Sequence, residues 1–437
     1  MKILSIMKYI EGFSKHNRNE KLRLIAENTK SPEEFIKTLN KSRYQYPELQ
    51  SKLESFSENT IANYHLPYGI APNFLIDNKL YHIPMVIEES SVIAAAAKSA
   101  KFWYSRGGFQ TTDISVSKKG QIHFFWYGEK EEIIEFINKI SPGLQESLKS
   151  ITSQMEKRGG GIQSIKLNDK TSDIPHYFEL DFTIETADSM GANFINSVLE
   201  SAVQYLIDKL TPETRKKLDI NMAILSNHTP ESKISMKVEC PVEKLAGQDS
   251  EMSGKEFAEQ FYKAVEIAKK NVSRAVTHNK GIMNGIDAVV LATGNDYRAV
   301  EAAAHAYAAH TGKYTALTDC SITNNIFSYQ LTVPLSIGST GGLTRIHPLA
   351  EKSLEVLDNP SAKELMKIIA AAGLANNFGA ITALITTGIQ KGHMKLHLEN
   401  ILLNFDISDA KKEQVRTYFS DRKVSYREVE NYIQNIL

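Results

Sequence analysis

The sequence predicts an α+β protein in which a small antiparallel-sheet domain is set into a mainly helical chain. Between about residues 110 and 225, short segments rich in β-branched and aromatic residues mix with segments whose apolar residues recur every three or four positions. The strand-like segments are 113–117, 121–127, 177–187 and 220–225. They do not alternate with helices in the regular manner of βαβ units, so the middle of the chain is predicted to fold around an antiparallel sheet.

The chain before residue 110 predicts helices and one strand. Residues 1–57 are charged and mainly helical in pattern, and the stretch SPEEF at 31–35 is a helix start with proline in the first turn and acids near the positive end of the helix dipole. Residues 79–87 predict a strand. A helix follows it at once, with Ser90 or Ser91 as its N-cap.

The remaining helices are predicted from apolar spacing and capping residues. They are 129–140, 144–157, 192–210, 254–276, 298–312, 361–385 and a charged C-terminal helix at 409–419. Ser361 and Glu364 stand in capping-box spacing at the start of the sixth of these. Residues 288–293, AVVLAT, predict a short buried strand that Gly294 ends.

Composition excludes several classes of protein. Basic and acidic residues balance at 51 each, which argues against partners such as nucleic acid or an acidic membrane surface. The two cysteines, Cys240 and Cys320, make no CxxC spacing and favour a reducing compartment. The N-terminal stretch has no signal-peptide core, and the most apolar segment, 368–389, is interrupted by polar residues and predicts a core helix instead of a membrane span. We therefore expect a cytoplasmic protein that binds neither nucleic acid nor membrane.

Two pairs of residues are candidates for chemistry. Glu88 and Glu89 stand beside a helix start, where acids usually balance the helix dipole, but a buried carboxyl there could donate a proton near neutral pH. Lys280, in the glycine-punctuated stretch KGIMNG, and Asp296, after Gly294, could meet in a cleft and hold a developing oxyanion. The plainer alternatives are a solvated lysine and a helix-capping aspartate.

Histidines near the C-terminus admit two interpretations. His393 and His397 have the i, i+4 spacing of a zinc pair, but no HExxH pattern or cysteine partner accompanies them, so we expect no metal. A single general-acid histidine beside Gly392, in a segment that can move over a site, fits the pattern better.

Glycine-rich stretches in the chain match neither the GxGxxG nor the GxxxxGK[ST] pattern, so neither a Rossmann turn nor a P-loop is predicted. Residues 185–194, ETADSMGANF, predict a helix opened by Asp188 and Ser189. The N-terminus of such a helix can accept a phosphate or pyrophosphate.

Taken together, six ordered motifs resemble those of the class II 3-hydroxy-3-methylglutaryl-CoA reductases. The motifs are ENTIANYHLPYGIAPNF at 58–74, EESS at 88–91, DSMGAN at 188–193, RAVTHNKGIMNGID at 274–287, ATGNDYRAVEA at 292–302 and GHMKLH at 392–397. The resemblance runs from about residue 57 to about 402, and it departs at EESS, where many relatives have EEPS.

The resemblance implies a large, mainly helical domain that binds the CoA thioester, formed by residues 1–112 and 225–387. It implies a small, ferredoxin-like, non-Rossmann cofactor domain at 113–224 and a C-terminal helical flap at 388–437. It also implies a homodimer or higher homo-oligomer with active sites at the subunit interface.

The site residues that the resemblance implies fall into three groups. The catalytic residues are Glu89, Lys280, Asp296 and His393. The substrate-binding residues, near the hydroxymethylglutaryl group or CoA, are Ser91, Arg274 and Asn284. The cofactor-binding residues are Asp188, Met190, Gly191, Asn193, Gly338 and Gly341.

Cofactor choice is predicted from one position. NADH-specific relatives place an aspartate in the helix before the GGG turn, and an ungapped count back from Gly159 reaches Thr152 here, with Lys157 and Arg158 close by. The absence of an acid and the nearby basic residues favour binding of a 2′-phosphate, so we predict that the protein uses NADPH in preference to NADH.

The implied reaction is the two-step, four-electron reduction of (S)-3-hydroxy-3-methylglutaryl-CoA to mevalonate and CoA with two NAD(P)H, in isoprenoid synthesis. Lys280 would face the oxyanion, Asp296 would pair with Lys280, Glu89 would protonate the alkoxide, and His393 would protonate the departing thiolate. Three alternatives stay open: an NAD-dependent enzyme that oxidises mevalonate, a non-catalytic CoA- or nucleotide-binding regulator, and a metal-dependent hydrolase that uses His393 and His397.

Overall fold

The structure is a computed structural model that describes residues 9–246, 252–386, 398–399, 401–420, 422 and 424–435. The chain divides into two units, Met1–Pro67 and Tyr68–Leu437. The α-helices are α1 (Arg18–Ala26), α2 (Pro32–Lys41), α3 (Pro47–Glu54), α4 (Val92–Tyr104), α5 (Lys130–Ser147), α6 (Lys149–Glu156), α7 (Ala192–Lys209), α8 (Pro212–Arg215), α9 (Gly254–Lys270), α10 (Val272–Ala292), α11 (Tyr297–Ala308), α12 (Leu343–Ile346), α13 (Pro348–Val356), α14 (Ala362–Ile385), α15 (Asp409–Tyr418) and α16 (Tyr426–Asn435). The strands are β1 (Tyr68–Ile76), β2 (Lys79–Val86), β3 (Gln110–Ile114), β4 (Lys118–Trp126), β5 (Gly161–Asp169), β6 (Tyr177–Glu185), β7 (Leu218–Leu225), β8 (Lys233–Pro241), β9 (Thr318–Thr323) and β10 (Ile326–Pro334).

The first unit consists of α1, α2 and α3. A capping box starts α1, in which the Asn17 side chain accepts from the Glu20 backbone N–H and the Glu20 carboxylate accepts from the Asn17 N–H. Helix α2 begins at Pro32, as the sequence predicts, with proline in its first turn. Arg43 and Glu54 pair at 2.6 Å within this unit.

One four-stranded sheet of the second unit has the order β5-β6-β4-β7, and every neighbouring pair of strands is antiparallel. With α5, α6 and α7 as its connections, this is the order of a ferredoxin-like fold, in which two βαβ units are split by an intervening strand. One face of the sheet packs against α5 and α7 in a core of its own, which contains Phe124, Trp126 and Phe182. The predicted antiparallel sheet is therefore present, with one strand, β5, that the sequence did not predict. The strand predicted at 113–117 does not belong to it, because it overlaps β3, which pairs with β8 in another sheet.

A second four-stranded sheet, with the order β3-β8-β10-β9, was not predicted from the sequence. It joins the β1–β2 hairpin and α4, α9, α10 and α14 in the larger core of this unit. Aromatic side chains fill the centre, where Phe261 packs edge-on against Tyr329 and Phe378 packs against Trp103. Strands β9 and β10 are consecutive in the chain and pair as a hairpin, whereas β3 and β8 come from distant parts of the sequence, so local pattern did not reveal the whole sheet.

Helices α10 and α14 form the closest helix pair of the larger core. Glycines make this approach possible: a Cβ on Gly285 would lie 2.7 Å from the carbonyl carbon of Ala372. Among the described helices, α14 alone is long and apolar enough to cross a membrane, with mean hydropathy 1.7. Since 72% of that stretch is buried inside the protein, it is the core helix that the sequence predicts.

Two sequence predictions in this region are wrong. The helix predicted at 254–276 is two helices, because α9 ends at Lys270 and Asn271 then caps α10 by accepting from the Arg274 backbone N–H. The strand predicted at 288–293 is the last turn and a half of α10. A short apolar run is compatible with a buried strand or with a buried helix. Here the run is apolar because protein covers this end of α10 on both sides.

Near the C-terminus, α15 matches the predicted charged helix at 409–419. It packs with α16 and with Leu398, Ile401 and Leu402 around a small cluster that includes Val415 and Phe419.

Candidate active site

Glu89 and Lys280 form an ion pair between two elements far apart in the chain. Lys280 lies within α10, and Glu89 lies in the turn between β2 and α4. The Lys280 Nζ is 2.6 Å from the Glu89 Oε2, and the two side chains keep 59% and 37% of their surface exposed. An exposed pair of this kind contributes at most about 1 kcal/mol to stability. The pair is therefore accessible to a ligand that interacts with both groups.

Ser91 stands directly before α4 in the left-handed backbone conformation, with φ 78°. It occupies the predicted N-cap position, but its side chain makes no capping hydrogen bond. Its hydroxyl oxygen is buried and has no hydrogen-bond partner among the described residues. A strained serine with an unpaired buried hydroxyl, two positions after Glu89, is typical of a ligand-binding turn.

The turn of α10 that precedes Lys280 is held by buried polar contacts. The Asn279 side chain donates to the Thr315 carbonyl oxygen at 2.9 Å, and the Asn377 side chain donates to the His278 carbonyl oxygen at 2.7 Å. Burial lowers the pKa of His278 to about 3, so its ring is neutral at pH 7. The backbone at Lys280 is thus fixed by the core while its ammonium group faces solvent.

Asn284 lies one helical turn after Lys280, on the same face of α10, and is half-buried. Arg274 lies in the first turn of α10, also half-buried, about 9 Å along the helix axis from Lys280 at 1.5 Å per residue. The structure therefore brings Lys280 and Asn284 side by side and places Arg274 at the start of the same helix.

Asp296 caps α11, as the plainer sequence interpretation predicts. One of its carboxylate oxygens accepts from the backbone N–H groups of Arg298 at 3.0 Å and Ala299 at 3.3 Å, and the Arg298 guanidinium donates to both oxygens at 3.0 Å. Burial by itself would raise the pKa of Asp296, but the hydrogen bonds from Arg298 and Ala299 outweigh it and lower that pKa. In the described part of the chain, Lys280 pairs with Glu89 and Asp296 pairs with Arg298, so the predicted Lys280–Asp296 pair is not formed.

The predicted cofactor residues Asp188, Met190 and Gly191 lie in a tight loop between β6 and α7, and Asn193 lies in the first turn of α7. Helix α7 begins at Ala192, as the apolar spacing predicts, and is not opened by Asp188 and Ser189; Gly191 is its N-cap, with φ 84°. A Cβ on Gly191 would lie 2.7 Å from the Thr186 Cβ, so this position requires glycine both for backbone conformation and for space.

This loop is joined to the turn at 338–341. The Asp188 carbonyl oxygen accepts from the backbone N–H groups of Ser339 at 2.9 Å and Thr340 at 3.1 Å. The Asp188 carboxylate accepts from the N–H of Ala362, the first residue of α14, at 2.8 Å. Gly338 is buried beside the loop, while Gly341 is exposed with φ 86°. The structure thus brings the two predicted cofactor segments together.

The N-terminus of α7 has the features of an anion-binding site. No side chain caps it, its first turn contains no acidic residue, and Asn193 is exposed there. The unpaired N–H groups and the helix dipole favour a negatively charged group at this end.

Lys118 and Asn295 are residues that the sequence interpretation missed. Lys118 is buried at the start of β4 and donates to carbonyl oxygens of the 186–190 loop. The Asn295 side chain, next to Asp296, accepts from the Gly338 N–H at 2.9 Å. A signal for Lys118 existed in the sequence, because it is in phase with the inward-facing Ile122, Phe124 and Trp126.

The position that governs cofactor choice, Thr152, lies in α6 and is buried. Its hydroxyl donates to the Glu156 carboxylate at 2.6 Å. The residue at this position is thus not itself an acid, although the Glu156 carboxylate lies beside it.

His393 and His397 lie outside the described residues. Among the residues that are described, no group of three or more His, Cys, Asp and Glu side chains is arranged to hold a metal ion.

Comparison with known proteins identifies the family. The family model described as hydroxymethylglutaryl-coenzyme A reductase matches residues 17–398. The chain belongs to this family.

Similar proteins of the family come from archaea and bacteria. The chain is 34% identical over 407 residues to 3-hydroxy-3-methylglutaryl-coenzyme A reductase of Archaeoglobus fulgidus, covering 90% of this chain and 86% of that protein. It is 29% identical over 416 residues to the probable reductase of Borreliella burgdorferi, covering 93% and 92%.

Solved structures of the family agree with the fold. The chain is similar to the reductase of Streptococcus pneumoniae, with TM-score 0.72 and 31% identity over 98% of this chain and 100% of that one. It is also similar to the class II reductase of S. pneumoniae bound to NADPH in open conformations, with TM-score 0.71 and 32% identity over 87% of this chain and 100% of that one.

Membership of the hydroxymethylglutaryl-coenzyme A reductase family confirms three sequence predictions. The α+β fold class is confirmed by the structural match, and the chain is an oxidoreductase whose reaction is the reduction of hydroxymethylglutaryl-CoA in the mevalonate pathway. It accordingly binds the acyl-CoA thioester as substrate and CoA as product.

Proposed function

We propose that this chain reduces (S)-3-hydroxy-3-methylglutaryl-CoA to mevalonate and CoA, using two equivalents of NADPH, at a site built around Lys280 and Glu89. The observation that carries the proposal is the 2.6 Å contact between the Lys280 ammonium and the Glu89 carboxylate. It pairs a cation with a proton-exchanging group in one accessible place, and reduction of a thioester requires both functions.

Lys280 supplies the positive charge at the thioester oxygen. The chemistry that a bound nicotinamide cofactor would supply is hydride transfer, first to the thioester carbon and then to the aldehyde. As the first negative charge develops on oxygen, a fixed ammonium stabilises it by several kcal/mol in a site from which substrate excludes water. The rigid backbone of α10 at His278 and Asn279 keeps the ammonium in position.

Glu89 is assigned the delivery of the proton that the final alkoxide needs, so its carboxylate, which is ion-paired with Lys280 here, must first take up a proton from solvent. Because Glu89 contacts Lys280, its carboxyl oxygen would lie beside the same substrate oxygen, and the two groups would act on one atom in succession. The unpaired Ser91 hydroxyl is available to hydrogen-bond the hydroxymethylglutaryl portion, and Asn284 is available beside Lys280.

Asp296 and His393 are proposed for the two remaining roles. For Asp296 to orient Lys280, it must exchange its partner Arg298, whose side chain is 76% exposed and therefore weakly held. Association of two subunits at the site, as the resemblance implies, would favour that exchange. His393 is proposed to protonate the CoA thiolate and so prevent its return.

The cofactor is proposed to bind across the loop at 186–191 and the turn at 338–341. The uncapped N-terminus of α7 suits its pyrophosphate, and Gly191 allows the backbone to approach closely. NADPH is preferred because Thr152 supplies no carboxylate to bind ribose hydroxyls, and because the similar S. pneumoniae enzyme is described as bound to NADPH.

The organisation of the enzyme is part of the proposal. Residues 1–112 and 225–387 are proposed as the CoA-thioester domain, 113–224 as the cofactor domain and 388–437 as the flap. The enzyme is proposed to act in the cytoplasm as a homodimer or higher homo-oligomer.

The test is loss of reduced-nicotinamide absorbance on addition of 3-hydroxy-3-methylglutaryl-CoA, run in parallel with NADPH and NADH. We expect about two NADPH oxidised per thioester and slower oxidation of NADH. Lys280→Ala should lower kcat by about 100-fold or more, whereas Lys263→Ala, an exposed lysine on α9, should match the wild type. Near wild-type turnover by folded Lys280→Ala would refute the oxyanion role.

His393 is tested with two substrates. His393→Ala should slow thioester reduction more than reduction of free mevaldehyde, because only the thioester releases a thiolate. Equal losses on both substrates would remove that role.

A further inference from the structure

Lys118 is a buried lysine on the inward face of the β5-β6-β4-β7 sheet. It is the first residue of β4, and only 4% of its surface is exposed. The inward positions that follow it on the strand are Gly120, Ile122 and Phe124, which are small or apolar. A lysine in such a row is rare unless its ammonium group has partners inside the protein.

The ammonium group of Lys118 is surrounded by neutral oxygen atoms. It donates to the Thr186 Oγ1 at 2.7 Å and to the carbonyl oxygens of Ser189 and Met190, each at 2.8 Å. The carbonyl oxygen of Ile337 is 3.5 Å away. No carboxylate is among these partners, and burial lowers the pKa of Lys118 to about 7.

These partners belong to the two cofactor segments. Three of the four oxygens lie in the loop at 186–190, and the fourth lies directly before the turn at 338–341. The Thr186 hydroxyl also donates to the Ser189 carbonyl oxygen at 2.7 Å, so the loop is closed around the ammonium. The Lys118 side chain thus contacts both the loop at 186–190 and the residue before the turn at 338–341.

The same network reaches the turn that bears Asp296. Gly338 packs so closely on the loop that a Cβ there would lie 2.7 Å from the Ser189 carbonyl carbon. Its N–H donates to the side chain of Asn295, the neighbour of Asp296. A displacement of the loop at 186–190 would therefore move Gly338 and, through Asn295, the Asp296 turn.

The geometry points to Lys118 as a positioning residue, which sets the conformation of the 186–191 loop for the nicotinamide cofactor and ties that loop to the Asp296 turn. This rests on the proposed function in so far as the loop binds the cofactor. Lys118 itself touches neither cofactor nor substrate in this arrangement, because its ammonium is enclosed by the loop. Its effect passes through the carbonyl groups that it holds.

The test compares Lys118→Met with Lys119→Met. Methionine keeps the apolar stem and removes the ammonium, and Lys119 is the adjacent lysine, on the other face of the same strand.

NADPH binding is titrated by cofactor fluorescence without substrate. We expect Lys118→Met to raise the NADPH dissociation constant and KM about tenfold or more, since charge-assisted hydrogen bonds that order the loop are lost. The KM for the thioester should change less than twofold, and Lys119→Met should behave as wild type. An unchanged NADPH dissociation constant in Lys118→Met would overturn the proposal.

A second measurement uses the ligand-free protein. Amide hydrogen exchange in 186–191 and 337–340 should become about tenfold faster in Lys118→Met and stay unchanged in Lys119→Met. This readout separates the two proposals: a wild-type protein that binds no cofactor refutes the proposed function, while unchanged exchange in Lys118→Met refutes the positioning role. If Lys118→Met does not fold, Thr186→Val, which removes one acceptor of the ammonium, takes its place. This variant should show the same weaker NADPH binding and faster amide exchange at a smaller size. Amide exchange as slow as in the wild type would refute the positioning role of Lys118.

Discussion

Replacement of Gly285 by alanine tests whether the approach of α10 to α14 supports the site. A Cβ at this position would lie 2.7 Å from the carbonyl carbon of Ala372, still closer to its oxygen, and 3.0 Å from the Asn376 Nδ2. Two of these three neighbours are backbone atoms, which cannot rotate away. Carbon atoms in contact prefer about 3.5–4.0 Å, so the two helices must separate locally by about 1 Å.

The expected cost follows from two opposing effects. Overpacking of a well-packed core costs typically 1–3 kcal/mol, and a clash with backbone belongs at the upper end. Alanine is better than glycine in a helix interior by about 1 kcal/mol. We therefore expect Gly285→Ala to lower the free energy of unfolding by about 2 kcal/mol. Because Asn284 is the adjacent residue and Lys280 is on the same helix, the KM for the thioester should rise as well.

Gly281→Ala is the matched control, four residues earlier on α10. Its Cβ would meet only the Asn377 Nδ2, at 3.3 Å, so the adjustment needed is a few tenths of an ångström and no backbone atom is in its way. The free energy of unfolding should stay within about 1 kcal/mol of the wild type. Urea unfolding followed by circular dichroism measures both variants. A Gly285→Ala protein as stable as the wild type, or a Gly281→Ala protein as unstable as Gly285→Ala, would refute the argument.

Three further predictions concern stability. Burial lowers the pKa of Lys118 to about 7, so above pH 7 the folded protein has lost a proton that the unfolded chain keeps to about pH 10. The free energy of unfolding of the wild type relative to Lys118→Met should therefore rise by about 1.4 kcal/mol per pH unit over that window. An equal difference between the two proteins at pH 6.5 and pH 9 in urea unfolding would contradict this. Burial, then the neighbouring Glu301, raises the pKa of Asp287, so the folded protein keeps a proton that the unfolded chain releases above about pH 4. The wild type should therefore lose stability relative to Asp287→Asn as pH rises from 5 to 8, and a thermal-melt difference independent of pH would argue against it. Ser361→Ala removes the capping box of α14 and should lower the free energy of unfolding by about 1 kcal/mol, which an unchanged urea midpoint would disprove.

Local chemistry in the sequence predicted several structural details well. The capping box of Ser361 and Glu364 starts α14 where expected, because capping is decided within four residues. Asp296 caps α11 for the same reason. The interpretation failed at 288–293, where an apolar run suits a strand or a helix and only its neighbours decide between them.

The site was predicted in part. Glu89 and Lys280 were chosen from a family resemblance, and the structure places them 2.6 Å apart. The family resemblance implied a pairing of Lys280 with Asp296, but in the described part of the chain the Asp296 carboxylate is held by Arg298. Lys118 was overlooked although its phase on β4 was visible, because a polar residue at an inward position has meaning only when its partners are known.

By itself, the sequence determined the α+β class, the antiparallel domain, the capped helices and the family. These depend on periodicity, on residues within one turn, or on motifs whose order along the chain is preserved. Only the tertiary structure decided that a second sheet joins β3, β8, β9 and β10, and that one buried ammonium links the loop at 186–190 to the turn at 338–341. The reason is physical: such contacts join residues far apart in the chain, and their energies depend on burial and distance, which local sequence does not specify.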